Sequence, residues 1–199
     1  MIPTLTETQI SAALRRFEHP VYTELPPDLV KKPHRAAAVL VPLVNWDNEW
    51  HLLFTRRTDR VETHKSQVSF PGGAADPEDK SPEDTALRET EEEIGVRRSD
   101  VRVLGRLGEM ITITNFHVTP VVGVIPWPYA FTVHTVEVGR VFTMPLAWLA
   151  DARNRHEFIR PETGHTVITY IPFDGELLWG ATARMTVNLL KALEHAPGM

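Results

Sequence analysis

Apolar positions Ile10, Ala13, Leu14 and Phe17 recur at helical spacing behind a Thr6–Gln9 capping pair and predict one helix ending near Glu18. His19 to Pro33 holds Pro20, Pro26, Pro27 and Pro33 and reads as an extended connector. The unbroken apolar run Ala36–Val44 predicts a buried strand, Asn45–Asn48 a turn, and Trp50–Thr55 its partner strand. Arg56–Lys65 is polar and reads as a loop, Gln67–Phe70 as a short strand, and Pro71-Gly72-Gly73 as a stop to any regular element. Ser81-Pro82-Glu83-Asp84 opens a helix with a capping Ser, a Pro at the first helical position and acid in the first turn; Gly95 closes it. Val101–Leu107, Phe116–Ile125 and Val136–Phe142 read as strands, and Pro145–Ala150 as a short helix behind Thr143. His156–Ile159 and Thr166–Ile171 flank Glu162-Thr163-Gly164 as a hairpin, and a last helix from Thr182 places Met185, Leu189 and Leu193 on one side. Strands with helices inserted among them favour a mixed α/β or α+β sandwich over an open parallel sheet.

With 199 residues, 42% apolar and 24% charged, the chain has ordinary globular usage and suits one domain at about 150 residues each. Residues 1–33 read as an N-terminal helix and connector attached to a domain spanning 34–199. The absence of cysteine removes disulfides, cysteine zinc sites, iron–sulfur ligation and a thiol nucleophile together. The start lacks the basic end and apolar core of a signal peptide, and Ala36–Val44, broken by Pro42, is too short to span a bilayer. A cytoplasmic protein is the expectation, with no membrane partner.

The net charge of −5 is local: Glu83, Asp84, Glu89, Glu91, Glu92 and Glu93 stand against Arg88 alone between Ser81 and Ile94, and the rest of the chain is balanced. An acidic total gives no general attraction to nucleic acid. On a helix, Ala86, Leu87, Thr90 and Ile94 share one arc of about 100°, which should pack on the sheet, and Glu89, Glu92 and Glu93 share the next. Like charges so spaced repel by about 0.2–0.5 kcal/mol per pair, and a hard divalent cation such as Mg²⁺ reverses that sign. On spacing alone a solvated acidic face is the commoner outcome. Gly72-Gly73 shifts the balance, because a bare backbone can bring a main-chain carbonyl to such an ion. Arg88 could orient a carboxylate or simply pair with Asp84 four residues earlier.

Arg88-Glu89-Thr90-Glu91-Glu92-Glu93-Ile94-Gly95-Val96 resembles the second half of the Nudix hydrolase box. The first half is one residue longer than usual between Gly73 and Arg88, leaving Glu78 or Asp79 for its early acid. Gln67-Val68-Ser69-Phe70-Pro71-Gly72-Gly73, Val118-Thr119-Pro120-Val121-Val122-Gly123 and Trp179-Gly180-Ala181-Thr182 are similar to the coenzyme A diphosphatase branch, and the likeness runs from about Arg35 to Leu190. The branch's upstream signature is met at Thr55, Arg57, His64 and Gln67, whereas Glu62, Ser66 and Thr58 replace its usual Arg, Gly and Ser. Arg56, Arg60 or Lys65 could restore the charge that Glu62 reverses, or be solvated loop residues.

The resemblance implies an α/β/α sandwich with a mixed central sheet, and Mg²⁺- or Mn²⁺-dependent hydrolysis of a small nucleotide substrate. For coenzyme A the products would be 3′,5′-ADP and 4′-phosphopantetheine. It implies metal ligation by Glu89, Glu92, Glu93 and the Gly73 carbonyl, catalytic roles for Glu89, Arg88 and Glu93, and substrate contacts at Arg57, His64 and Gln67. The base stays open between Glu89 and an acid from another loop such as Glu137. His64 and His117 are candidates for phosphate or base contacts, and Phe116 and Trp127 for adenine stacking. Two rivals remain: a Nudix enzyme for ADP-ribose, a dinucleotide or an oxidised nucleotide, and a Nudix-like module that binds a nucleotide without cleaving it. The Pro-rich connector could mediate a homodimer or cover the sheet.

Overall fold

The computed structural model describes residues 5–23, 30, 33–59, 66–161 and 164–197. In chain order its helices and strands are α1 (Glu7–Arg16), β1 (Tyr22–Thr23), β2 (Arg35–Trp46), β3 (Glu49–Arg57), β4 (Val68–Ser69), β5 (Gly72–Ala74), α2 (Pro82–Ile94), β6 (Arg102–Arg106), β7 (Met110–Ile111), β8 (Phe116–Val124), β9 (Val138–Pro145), α3 (Leu146–Ala150), β10 (Arg155–Ile159), β11 (Thr166–Tyr170) and α4 (Gly180–Leu193). The Glu162-Thr163 turn, Arg60, Glu62, His64 and Lys65 lie outside the described residues.

The central sheet is mixed. β2 runs parallel to β8 over nine residues, Arg35↔Phe116 to Leu43↔Val124. Its other edge serves two antiparallel partners: β5 at Ala37–Val39 and β3 at Leu43–Trp46. β3 continues to β4 and β9, and β8 carries β6 and β7. Asp47 and Asn48 take positive φ of 51° and 65°, so β2 and β3 close through a tight two-residue turn and the strands extend beyond the predicted ends.

Period-two alternation sends Val41, Leu43, Leu52 and Phe54 to one face of the sheet and Leu40, Val44 and Leu53 to the other. The first face packs against α1, α3 and α4 through Ile10, Leu14, Leu146, Leu149, Leu189 and Leu193; the second packs against α2 through Ala86 and Ile94. Two helical layers thus sandwich the sheet, as the chain's mixed order predicts. α1 is held further by its Thr6–Gln9 capping box and by the Trp50 Nε1–H, which donates to Leu5 O at 2.6 Å. β10 and β11 form a separate antiparallel pair. Among the described residues no helix is long and apolar enough to cross a membrane.

Pro71-Gly72-Gly73 does not stop regular structure. Gly72 and Gly73 open β5, with Val39↔Gly72 and Ala38↔Gly73 in register. The reason is steric: a Cβ on Gly72 would lie 2.4 Å from Ala38 O, so only glycine lets this strand approach β2.

Candidate active site

The site begins with the loop between β5 and α2. Ser81 caps α2 by accepting from the Asp84 N–H at 3.2 Å, and Gly95 ends it with φ 72°. Ahead of the cap, Asp79, its side chain 6% exposed, accepts from Arg88 Nε at 3.1 Å and Nη2 at 2.9 Å, from Thr85 Oγ1 at 2.9 Å and from the Asp76 N–H at 2.9 Å. The Arg88 guanidinium holds the Asp79 carboxyl well below the usual carboxylate range, against a burial effect of opposite sign. Arg88 also donates to Ala74 O at 3.0 Å, Glu89 Oε1 at 2.8 Å and Glu92 Oε2 at 3.2 Å. It therefore joins β5, the loop and two helix carboxylates. The expected alternative, a pair with Asp84, does not form; Asp84 accepts from the Lys80 N–H instead. Of the two acids weighed for the early box position, Asp79 makes these contacts.

Glu93 sits one turn beyond Glu89, its side chain 8% exposed, with Oε2 buried and without a hydrogen-bond partner. Burial pushes its carboxyl up to about 8; Arg57 pulls the other way, and Glu89 and Glu137 reinforce the rise. Arg57 Nη1 lies 3.8 Å from Glu93 Oε1 and Nη2 lies 3.9 Å from Glu137 Oε2, so one guanidinium bridges α2 and the segment entering β9. That segment is tied to the end of α2 by the Thr132 and His134 N–H groups, which donate to Ile94 O and Glu93 O at 3.1 and 2.9 Å. Burial likewise raises the Glu89 carboxyl, opposed by Arg88. Gly73 faces Glu89 so closely that a Cβ there would lie 2.5 Å from Oε2.

The sequence-derived trio is not a ready cage. Among the described residues no three carboxylate or imidazole groups are gathered closely enough to hold a metal ion as they stand. Glu92 is 59% exposed and turned to Arg88. The chemistry of the donors nonetheless suits a hard divalent cation: the orphaned Glu93 Oε2 and the Glu89 carboxylate against a bare Gly73 backbone are all-oxygen donors.

Beside Arg57, Gly72 and Gly73 opens a cavity of about 380 Å³ on the α4 side of the sheet. Gln67 and Phe116 line it, and its apolar wall includes Phe70, Ile113, Val118 and Trp179. Trp127 lies elsewhere, against Trp46 and Phe131. His117 pairs with Glu109 at 2.8 Å and does not line the cavity, because alternation along β8 turns it away from Phe116 and Val118. Arg56 is engaged by Glu176 at 3.3 Å and does not line the cavity. Sequence reasoning missed Arg160 and His165, which line the cavity from the end of the β10–β11 hairpin. Nothing local marks them; only the folded path of the hairpin brings them there.

A family model described as the NUDIX domain matches residues 33–167. The chain is 34% identical over 196 residues, covering 95% of this chain and 97% of the relative, to "Uncharacterized Nudix hydrolase NudL" of Yersinia pestis (strain Pestoides F). Its fold is similar to that of RenU, a Nudix hydrolase from M. smegmatis, with a TM-score of 0.50 at 18% identity over 59% of this chain and 74% of that one. A C. elegans Ap4A hydrolase binary complex aligns with a TM-score of 0.49 at 18% identity, over 56% of this chain and 80% of the other.

Proposed function

The chain belongs to the Nudix hydrolase family, and from that membership we propose that it hydrolyses coenzyme A or acyl-coenzyme A to 3′,5′-ADP and (acyl-)4′-phosphopantetheine. The observation that carries this reading is the buried, unpartnered Glu93 Oε2 on the helix that also bears Glu89, joined through Arg57 and Gly73 to a cavity of nucleotide size. The choice of coenzyme A rests on the branch motifs, chiefly Gln67–Gly73 and Trp179–Thr182, whose residues line that cavity. A cytoplasmic location accompanies the proposal.

A diphosphate ester resists hydrolysis because its own negative charge repels the nucleophile. Mg²⁺ or Mn²⁺, held by Glu89, Glu93, the Gly73 carbonyl and Glu92 after it leaves Arg88, would neutralise that charge and lower the pKa of a water. The protein supplies position and field. Arg88, anchored on Asp79, fixes Glu89. Arg57 lies between the carboxylates and the cavity, where it can hold a phosphate oxygen. Phe116, Phe70 and Trp179 offer apolar and aromatic surface for the base or the pantetheine arm. Water adds across one P–O–P linkage and splits it into two phosphate products, and its proton passes to a carboxylate, Glu89 or Glu137.

Glu93→Gln tests the reading directly. Hydrolysis should fall by about 10²–10³-fold with Mg²⁺ or Mn²⁺ present, while the thermal midpoint stays close to that of the parent. Unchanged turnover in a folded variant rejects the assignment. A panel of coenzyme A, acyl-coenzyme A, ADP-ribose, NADH and nucleoside triphosphates, with products identified by mass, decides the substrate.

A further inference from the structure

Among the described residues, the cavity wall holds two arginines and a histidine and no carboxylate. The arginines differ in their surroundings. Arg57 is shared by Glu93 and Glu137 at 3.8 and 3.9 Å. Arg160 has no carboxylate partner among the described residues, although most arginines of the chain are engaged by one, from Arg56 with Glu176 to Arg153 with Asp151. It is half-buried, and its position is fixed: its N–H donates to His165 O at 2.9 Å and its carbonyl accepts from Gly164 N–H at 2.8 Å. Beside it, the first turn of α4 begins at Trp179 with no side-chain cap and no acidic residue, so backbone N–H groups add to the positive field of the same wall. A half-buried arginine beside apolar surface offers its guanidinium to an anion by charge-assisted hydrogen bonds.

We infer that the hairpin end, through Arg160 with His165 beside it, is a subsite for a phosphomonoester of the substrate, separate from the diphosphate that is cleaved near Glu89 and Glu93. The substrate class is then a nucleotide bearing a further terminal phosphate, such as the 3′-phosphate on the ribose of coenzyme A. This deepens the proposed function and takes from it where the diphosphate lies. It also gives the anionic substrate a cation in place of the Arg that Glu62 replaces.

Two measurements test it. The first is calorimetric binding of 3′,5′-ADP and of AMP, which needs no turnover. The parent should bind 3′,5′-ADP at least about tenfold tighter than AMP, and Arg160→Ala should reduce that preference to about threefold or less. Arg160→Lys should keep part of it, and it serves if the alanine variant fails to fold. The second is kcat/KM for coenzyme A over 3′-dephospho-coenzyme A. That ratio should fall in the same variants, through KM rather than kcat. A parent with no preference, or variants that weaken both ligands equally, overturns the subsite. A preference that follows Arg160 in a protein that hydrolyses neither coenzyme sustains the subsite and rejects the proposed function. Equal hydrolysis of both coenzymes, with no binding preference, does the reverse.

Discussion

A methyl group added at Gly73 meets the Glu89 carboxylate at 2.5 Å, whereas one added at Gly72 meets the Ala38 carbonyl oxygen at 2.4 Å and sits on a φ of +153°. The first collision is with the movable end of a side chain, the second with the backbone of β2. Gly73→Ala should therefore fold with a thermal midpoint near that of the parent yet lose about 10–100-fold in turnover, because Glu89 must swing away. Gly72→Ala should cost about 2 kcal/mol or more of stability, read by urea unfolding. Glu93 gives a second prediction at this scale. Its folded pKa of about 8 stands above the unfolded carboxylate value of about 4.3, so the metal-free protein holds a proton there through that window. Metal-free stability should fall as pH rises between those values. A divalent cation must displace the same proton, so Mn²⁺ affinity should rise with pH up to about 8, by at most about tenfold per unit, and then level off. Calorimetry in buffers of different ionisation enthalpy would count the protons released, and Glu93→Gln should reduce that pH dependence, leaving what Glu89 contributes.

The elements explain why the acidic helix is poised as it is. α2 was legible in the sequence because its signals are local: a Ser cap, Pro82, the Ala86–Thr90–Ile94 face and Gly95 with φ 72°. Its acidic stripe was legible too, yet spacing says only which carboxylates share a side and nothing of what else binds them. The Arg88 guanidinium takes Glu89 and Glu92, and Asp79 holds Arg88 in turn. Glu78 and Asp79 are interchangeable to a sequence pattern; the bend at Asp76 and the Thr85 hydroxyl decide for Asp79. β5 escaped notice because Pro71-Gly72-Gly73 has turn composition, and its pairing depends on the partner strand rather than on its own propensity. The Asp79–Arg88 pair makes a prediction for this loop and helix together. Asp79 is held below its ordinary value, so its contribution is fully present above the unfolded pKa of about 3.9 and is lost as pH falls through the folded one. Asp79→Asn should cost about 2–3 kcal/mol in urea unfolding at pH 7, and the gap between parent and variant should narrow once the pH drops below about 4.

At the scale of the molecule, the family match spans residues 33–167, but the core does not stop at those limits. Ile10 and Leu14 of α1 are 0% and 3% exposed and belong to the same cluster as Met185, Leu189 and Leu193 of α4 and as Phe54 and Val122 of the sheet. The connector also returns to the sheet, with Tyr22–Thr23 in register with Met110–Ile111. Two long-range hydrogen bonds reinforce the attachment: Trp50 Nε1–H donates to Leu5 O, and the Gln9 side-chain amide donates to Pro197 O at 3.1 Å. Local periodicity could announce α1 as a helix but could not say what it covers, since the partners of its segment lie between 45 and 188 residues away. Burying Leu5, Ile10 and Leu14 contributes about 1.5–3 kcal/mol each, against a total stability for a domain of about 5–15 kcal/mol. A chain begun at residue 33 should therefore fail to fold cooperatively, or lose more than about 10 °C in thermal midpoint even though the matched family region is left whole. Adding a peptide of residues 1–23 in trans should not restore the full midpoint, because the loop-closure advantage of the intact chain is gone. Circular dichroism melts of the truncated and parent chains would read the loss; coincident cooperative melts would show instead that α1 is an accessory layer and that the sheet with α2, α3 and α4 stands by itself.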